Sequence, residues 1–212
     1  MIGITIAIVL NLFYDYEGQR QDLIRYMRET ENQLQILLCE LAAYLHNKDM
    51  EINVWDQIIA FEGRMHEFIK AAYDYQDNTF HSHPGYYIDY FEMRLAQLQV
   101  LHNLHYEIKK IRKMPKQALV IADYIMYMAD YVVEMNIPDQ QIEKLEDISE
   151  QMKQEELPKT REEFEGRALL YHILMDLEEF LVYKKRFVNG LDEKKLRIYW
   201  KQEMEQKDST NE

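Results

Sequence analysis

Apolar residues recur along most of the chain at the three- and four-residue spacing of a helix, and runs of turn residues separate the repeats. From Gln19 to about Asn47 the apolar positions alternate strictly by four and three, which predicts a long helix with a heptad seam. These positions are Leu23, Met27, Thr30, Leu34, Leu37, Leu41 and Tyr44. Such a seam suits packing at a shallow angle against near-parallel helices.

The same periodicity predicts further helices along the rest of the chain. They run from about Val54 to Gln76, from Tyr86 to Lys113, from about Lys116 to Met135, and from Leu191 to about Gln206. A more polar helix follows the turn at Asn136 to Asp139 and ends at about Glu155. The clearest loop is Asp77 to Gly85, where His81 and His83 are expected to be solvated. No stretch shows the alternation of a strand, so the pattern predicts an all-α, up-and-down bundle of about five to seven helices, several of them long.

The segment from Leu157 to Asn189 has the best-defined ends of all these helices. Thr160 lies three residues before Glu163, which is the spacing of a capping box. We therefore expect the Thr160 hydroxyl to accept a backbone N–H of the first turn and Glu163 to reach back to the Thr160 N–H. Gly190 follows at the position of a C-terminal capping glycine. The broad apolar face between these caps requires other helices to cover it.

This segment also carries a resemblance to a known family. The run PKTREEFEGRA, followed by an apolar stretch and EEFLVYKKRF, resembles the C-terminal domain of the bacterial putative aromatic acid exporter family. The stretch YYIDYFEMRLAQLQVL, Tyr86 to Leu101, resembles it too, and Tyr73 to Asn78 does so more weakly. The resemblance covers roughly Asn11 to Asn189. It implies a domain on the cytoplasmic face of the cell membrane that follows a membrane domain.

The segment Ile2 to Phe13 is apolar but short. As a helix it extends about 18 Å, against a hydrocarbon core of about 30 Å, and therefore cannot span a bilayer alone. It is a core segment of a soluble protein, a surface-lying anchor, or the cytosolic end of a membrane helix that begins outside this chain. Composition favours the first interpretation and the resemblance favours the third.

These observations together divide the chain into three parts. Residues 1–13 are expected to be the end of a membrane helix, and residues 14–207 the bundle domain. The second part begins with a polar junction at Tyr14 to Gly18, and residues 208–212 form a frayed tail.

The composition narrows the range of partners. The 212 residues carry a net charge of -13, which argues against nucleic acid as a partner because phosphate binding needs a basic surface. The same charge gives no general attraction to an anionic membrane surface. The single cysteine, Cys39, cannot form an internal disulfide, and its apolar helical run indicates a buried structural thiol.

The sequence contains few motifs that would indicate a metal site or a catalytic site. No Glu-x-x-His pair of the di-iron type occurs, and the nearest features are Glu62 with His66 and His102 with His105. Either pair could chelate zinc, but scattered polar residues on helix surfaces are the commoner explanation. A Gly-rich phosphate loop and a nucleophile motif are also absent from the sequence. We therefore expect no metal, no cofactor and no enzyme activity.

Two arginines are the candidate ligand-binding residues. Arg94 and Arg167 lie in the two family-like stretches, each beside carboxylates. These carboxylates are Glu92, Glu163 and Glu165. One hypothesis is that an arginine holds the carboxylate of a small aromatic ligand while a tyrosine such as Tyr90 stacks on its ring. The alternative, which we favour, is an ion-pair network that fixes the register of the helices.

The leading interpretation is a non-enzymatic helical domain with an assembly, regulatory or ligand-sensing role. Its expected partners are the membrane domain of the same protein or complex, a second copy of the chain, and a small aromatic carboxylate. A free-standing soluble adaptor that binds partner helices along an exposed heptad seam is the alternative. A metal-dependent bundle is the third.

Overall fold

Helices make up almost all of the described structure. The computed structural model describes residues 2–47, 54–79 and 85–200. Within these ranges seven helices and no strand occur, which confirms the all-α class. The helices are α1 (Ile2–His46), α2 (Val54–Asn78), α3 (Gly85–Lys110), α4 (Ala118–Ala129), α5 (Asp139–Lys153), α6 (Arg161–Asn189) and α7 (Glu193–Tyr199).

The six longer helices pack around one another in an order that differs from their order in the chain. α1 lies between α2 and α4, α3 lies between α2 and α6, and α5 closes the circuit between α4 and α6. Because α1 also contacts α3, the interior is bounded by α1, α3, α4 and α6.

The heptad seam of α1 lies in the core of the bundle, as the sequence pattern predicts. All seven seam residues, from Leu23 to Tyr44, are buried. The polar member, Thr30, is satisfied because its hydroxyl donates to the Tyr26 carbonyl at 2.7 Å. Cys39, expected to be buried, is only partly so, and burial raises the pKa of its thiol.

α1 begins earlier than predicted. The sequence places its start at Gln19, after a polar junction, but the helix runs without a break from Ile2 to His46. Polarity alone does not end a helix, and the junction contains no proline. Gly18 within it costs only about 1 kcal/mol of helix propensity. None of the helices in the described ranges combines the length and the hydropathy that crossing a membrane requires.

α4, by contrast, ends at Ala129 rather than at the predicted Met135. The Tyr131 N–H bonds back to Met128 at 3.0 Å, a shorter step than the α-helical one, and the chain then leaves the helix. The following segment, residues 130–138, turns Glu134 into the interior, where the Lys184 ammonium donates to the Glu134 carbonyl oxygen.

The caps of α6 are confirmed in part. The Thr160 hydroxyl accepts the Glu163 N–H at 3.1 Å, as predicted. The Glu163 carboxylate, however, accepts the Lys159 N–H at 3.0 Å rather than that of Thr160. Gly190 keeps a right-handed conformation, with φ of -80° and ψ of -9°, because its N–H still bonds to carbonyls of the last helical turn.

The end of the described chain closes over α3. The Asp192 carboxylate caps α7 by accepting the Lys195 N–H at 2.7 Å. Beyond α7, the Trp200 indole N–H donates to the Tyr86 hydroxyl at 3.3 Å. The remainder of the predicted last helix, the tail at 208–212, and residues 80–84 with His81 and His83 lie outside the described residues.

Gly166 lets α6 approach the segment between α3 and α4. A Cβ at this position would lie 2.9 Å from the Pro115 ring and 3.3 Å from the Lys113 carbonyl oxygen. Both neighbours are stiff groups, so neither can move aside cheaply. Only glycine permits this contact.

We expect Gly166→Ala to lower the free energy of unfolding by about 1–3 kcal/mol, because the added methyl overpacks the contact with Pro115. The matched control is Gly63→Ala on α2, where no atom lies within 4 Å of the added Cβ. There the better helix propensity of alanine should stabilise the protein by about 1 kcal/mol. Denaturant unfolding of both variants measures the difference, and equal stabilisation of the two would contradict the close contact.

Candidate functional site

Four charged side chains from four different elements meet inside the bundle. They are Glu31 of α1, Arg94 of α3, Glu134 of the 130–138 segment and Lys184 of α6, here called the central charge cluster. Their exposed fractions are 5%, 1%, 6% and 3%. Burying charge is costly unless each group is paired, so this cluster depends on the partners that the fold supplies.

Helical periodicity explains why the charges are buried. Arg94 lies on the stripe between Phe91 and Leu98, and Lys184 lies between Phe180 and Phe187. Positions three and four apart share a helix face, so the apolar neighbours that enter the core bring the charged residue with them.

Arg94 joins α3 to both α1 and α6. Its Nη1 donates to Gln97 Oε1 at 2.9 Å, and Gln97 in turn donates to the Phe180 carbonyl at 2.8 Å. Its Nη2 lies 3.6 Å from Glu31 Oε1, and its guanidinium lies 5.1 Å from the centre of the Tyr90 ring. Arg94 Nε and Nη2 have no hydrogen-bond partner within the described structure.

Glu92, which the sequence placed beside Arg94, does not contact it. Residues two apart on a helix point in different directions, so Glu92 faces outward and accepts a hydrogen bond from the Tyr73 hydroxyl at 3.2 Å. The carboxylate that faces Arg94 comes instead from Glu31, which is distant in sequence.

The two carboxylates of the cluster are held by tyrosines and by one arginine. Tyr90 donates to Glu31 Oε1 at 3.0 Å, and Tyr86 donates to Glu134 Oε1 at 2.5 Å. Arg28 bridges both acids, at 2.9 Å to Glu31 and 3.1 Å to Glu134. Burial raises the pKa of both tyrosines, which keeps their hydroxyls protonated as donors.

The Lys184 ammonium is buried against a backbone carbonyl and an aromatic ring. Its ammonium donates to the Glu134 carbonyl and lies 5.3 Å from the centre of the Phe187 ring. Burial, assisted by the charge of Arg94, lowers its pKa well below the ordinary value for lysine, while the two acids oppose this shift.

The cavity beside the cluster is very small. Arg94 and Lys184 line it, and its volume is about 10 Å³, which is room for about one water molecule. The candidate ligand-binding residues Arg94 and Tyr90 therefore lie beside each other, but the cavity has no space for a ligand ring.

Arg167 lies apart from the cluster, near the start of α6. It lines an open groove between α5 and α6 of about 240 Å³, together with Phe164 and Tyr171. Its guanidinium donates to Glu163 at 2.6 Å and to the Glu156 carbonyl at 2.7 Å, and its Nε is buried without a partner.

Glu165, the other acid predicted beside Arg167, pairs with Arg161 at 2.8 Å. The i,i+4 spacing of this pair places both side chains on one side of the helix, whereas residues two apart diverge.

His102 and His105, one of the two pairs considered as metal ligands, take part in aromatic packing. The Trp55 ring lies 4.5 Å from the His102 ring and 5.2 Å from the Tyr106 ring. Burial lowers the pKa of His105. Among the described residues no group of three or more His, Cys, Asp or Glu is placed to hold a metal ion.

The sequence interpretation missed Glu31, Glu134 and Lys184. A charged residue within an apolar helical stripe was the available signal, and Lys184 between two phenylalanines shows it most clearly. Glu134 gave no such signal because it lies outside a helix.

A second titratable position lies on the outer part of the contact between α3 and α6. Asp176 is half-buried, and one of its oxygens lacks a hydrogen-bond partner in the described structure. Burial, with the nearby charges of Glu107 and Glu179, raises its pKa to about 6, and His172 opposes this shift. This carboxyl is therefore easier to protonate in the folded chain than in the unfolded one.

Comparison with known proteins identifies relatives over most of the chain. Residues 20–185 match the family described as "Putative aromatic acid exporter C-terminal domain". The uncharacterized protein YqjA of Bacillus subtilis (strain 168) is 27% identical over 191 residues, covering 88% of this chain and 57% of that protein. The chain thus spans little more than half the length of this relative.

A solved structure shares the fold. It is the crystal structure of a putative membrane protein from Clostridium difficile 630, with a TM-score of 0.69 and 24% identity. The similarity covers 78% of this chain and 98% of that one. At this identity the likeness concerns the fold alone.

We expect Asp176→Asn to stabilise the protein at pH 7–8 and to leave its stability nearly unchanged near pH 4. With a folded pKa above the unfolded one, the carboxyl adds stability at low pH that is lost as the pH rises through about 6. After allowance for solvent screening of a half-buried group, the difference should be about 1–2 kcal/mol. Asp74→Asn, exposed on α2, is the control, and a pH-independent difference would contradict the prediction.

Proposed function

Because the chain belongs to the family of putative aromatic acid exporter C-terminal domains, we propose that it is a regulatory helical domain without catalysis of its own. Its partner is a membrane domain of the same protein or complex, and it acts at the cytoplasmic face of the membrane. Its role is to sense a ligand and to pass the resulting change to the membrane part.

The continuity of α1 carries this proposal. One unbroken helix joins the apolar segment at Ile2 to Phe13 with the bundle core and with Glu31 of the central charge cluster. The distance along the helix from Phe13 to Glu31 is about 27 Å. Since α1 packs against α2, α3 and α4, a shift of any of these helices can move α1 as a rod and thereby move the apolar segment.

The groove at Arg167 supplies the room that a small aromatic carboxylate needs. A cavity of about 150 Å³ suffices to bind benzene, and this groove has a volume of about 240 Å³. Phe164 and Tyr171 offer ring surfaces, and Arg167 offers a guanidinium with an unpartnered Nε. The ligand carboxylate would replace Glu163 on this guanidinium, whereas binding at Arg94 and Tyr90 would require the bundle to open.

A second candidate function is that of an adaptor for a partner helix. Phe164, Ala168, Tyr171 and Met175 follow heptad spacing along α6, and Phe164 and Met175 are 62% and 63% exposed. They line two adjoining grooves against α5, of about 190 and 240 Å³. A helix of another protein, or of a second copy of this chain, would bind along such a seam.

We expect removal of residues 2–13 to leave the thermal unfolding of the bundle nearly unchanged, because in this proposal the segment belongs to the membrane part and not to the bundle core. The same truncation should abolish co-flotation of the protein with phosphatidylcholine vesicles, because it removes the apolar segment. Flotation and calorimetry of the full and truncated chains measure the two effects.

Val9→Asp, which places a charge within the apolar segment, is the matched point variant and should also abolish flotation. If the truncated chain unfolds, the segment belongs to a soluble core and the adaptor function is favoured. If the full chain does not float, the membrane partnership through this segment is contradicted.

We expect benzoate and 4-hydroxybenzoate to raise the Tm of the wild-type chain, whereas benzamide and cyclohexanecarboxylate should do so much less. A ligand at 100 times its dissociation constant stabilises the folded state by about 2.7 kcal/mol. The shift should disappear in Arg167→Ala and persist in Arg161→Ala, which removes a cation that is 89% exposed from the same helix.

A variant at Arg94 distinguishes a ligand site in the central charge cluster from one in the groove at Arg167. A shift that disappears in Arg94→Ala but persists in Arg167→Ala would place the ligand in the cluster instead. No shift with any carboxylate would contradict ligand sensing and leave an assembly role.

A further inference from the structure

Two adjoining grooves lie between α5 and α6, and the one around Met175 has a largely apolar lining. This groove, here called the Met175 groove, has a volume of about 190 Å³. Its apolar lining residues are Ile142, Leu145, Tyr171, Leu174 and Met175. The Met175 side chain is 63% exposed, so part of this apolar lining faces solvent.

The length of the apolar surface suits a helix. The two grooves share Lys153 and Tyr171, and exposed apolar side chains extend along α6 from Phe164 to Met175. Along the helix axis these last two residues lie about 16 Å apart, which corresponds to about three turns. A partner helix that lies along α6 would therefore cover both grooves with one apolar face.

The charged residues that line the Met175 groove are mostly acidic. They are Glu146, Glu150 and Lys153 of α5 and Glu178 of α6. Lys153 pairs with Glu150 at 2.6 Å, whereas Glu146 and Glu178 form no ion pair or hydrogen bond within the described part of the chain. Each of the two helices therefore presents an unpaired carboxylate to the groove.

Nearby cations do not compensate these two carboxylates. α5 as a whole contains five acidic residues and two lysines. Its other lysine, Lys144, lies over the Tyr127 ring at 3.6 Å from the ring centre, and Lys185 of α6 pairs with Asp139 at 3.0 Å. A partner that brings cations to the groove therefore gains attraction, whereas one that brings acids meets repulsion.

This charge narrows the choice of partner. Nucleic acid or an anionic membrane would meet like charges, and a second copy that used the same surface would place acid against acid. We propose that the Met175 groove binds an amphipathic helix of another protein that carries lysine or arginine beside its apolar face. This inference rests on the adaptor function proposed above and specifies the chemistry of the partner helix.

The direct test compares two synthetic peptides of about 18 residues that have the same leucines at heptad spacing. One peptide carries lysine beside the leucines and the other carries glutamate. Fluorescence anisotropy measures the binding of each labelled peptide to the full chain. We expect the lysine peptide to bind at least about tenfold more tightly, and this ratio to decrease at high salt, which screens exposed charges.

Removal of the two unpaired carboxylates tests the role of charge. Glu146→Gln combined with Glu178→Gln should lower the affinity for the lysine peptide about three- to tenfold. The matched control, Glu67→Gln combined with Asp74→Asn, removes two exposed acids from α2 and should leave the affinity unchanged. An equal loss in both double variants would indicate attraction to the net charge of the chain and overturn the proposal.

Met175→Gln tests the apolar contact, because it keeps the length of the side chain and its helix propensity. It should lower the affinity for the lysine peptide about tenfold. Met126→Gln on α4, where the methionine is 45% exposed, is the matched control and should have no effect. Unchanged affinity in Met175→Gln would place the peptide elsewhere and overturn the proposal.

The same measurements separate this inference from the adaptor function on which it rests. Equal affinity for the two peptides, with loss of both in Met175→Gln, would overturn the basic partner and leave the adaptor function standing. Absence of binding by either peptide would contradict both. Self-association of the full chain in sedimentation that Met175→Gln abolishes would assign the groove to a second copy and overturn the proposal.

Discussion

The need to satisfy buried charges is the constraint on which the rest of this bundle depends. Apolar stripes hold helices together but allow them to slide by one turn with little change in buried area. The central charge cluster does not allow such sliding, because Tyr90 must lie within hydrogen-bonding distance of Glu31, and Tyr86 within that of Glu134. Leaving a buried group without its hydrogen-bond partner costs about 1–3 kcal/mol, and more for a charged group, which penalises each wrong register of α1 and α3.

The same constraint separates the bundle into a closed part and an open part. Around the cluster, Arg94 and Gln97 tie α3 to α6 with little free volume. Toward the start of α6, the helix meets α5 along grooves that leave Phe164 and Met175 largely exposed. Exchange of partners is therefore easier in the grooves, where the affected ion pairs are in contact with water, than in the cluster.

Local pattern was sufficient to predict the helices and insufficient to predict how they meet. The seam of α1 and the Thr160 cap follow from residues within a few positions of one another, and both are present. The sequence shows Glu92 beside Arg94, whereas the carboxylate that faces Arg94, that of Glu31, is brought close only by the packing of α1 on α3. The prediction that α4 extends to Met135 was wrong, and the group that binds the Glu134 carbonyl there, the Lys184 ammonium, comes from the distant helix α6. The candidate ligand residues Arg94, Arg167 and Tyr90 could be selected by type, but their available space depends on the tertiary structure.

The chain contains two tryptophans, and the fold places them at opposite ends of α3. Trp55 lies against His102 and Tyr106 near the end of that helix, while Trp200 donates to Tyr86 at its beginning and lies 5.9 Å from the Lys184 ammonium. The intrinsic fluorescence of the protein therefore contains two local signals, one of which reports on the surroundings of the cluster. Replacement of either indole by phenylalanine would isolate the other, so that events at the two ends of the bundle can be followed optically without an added label.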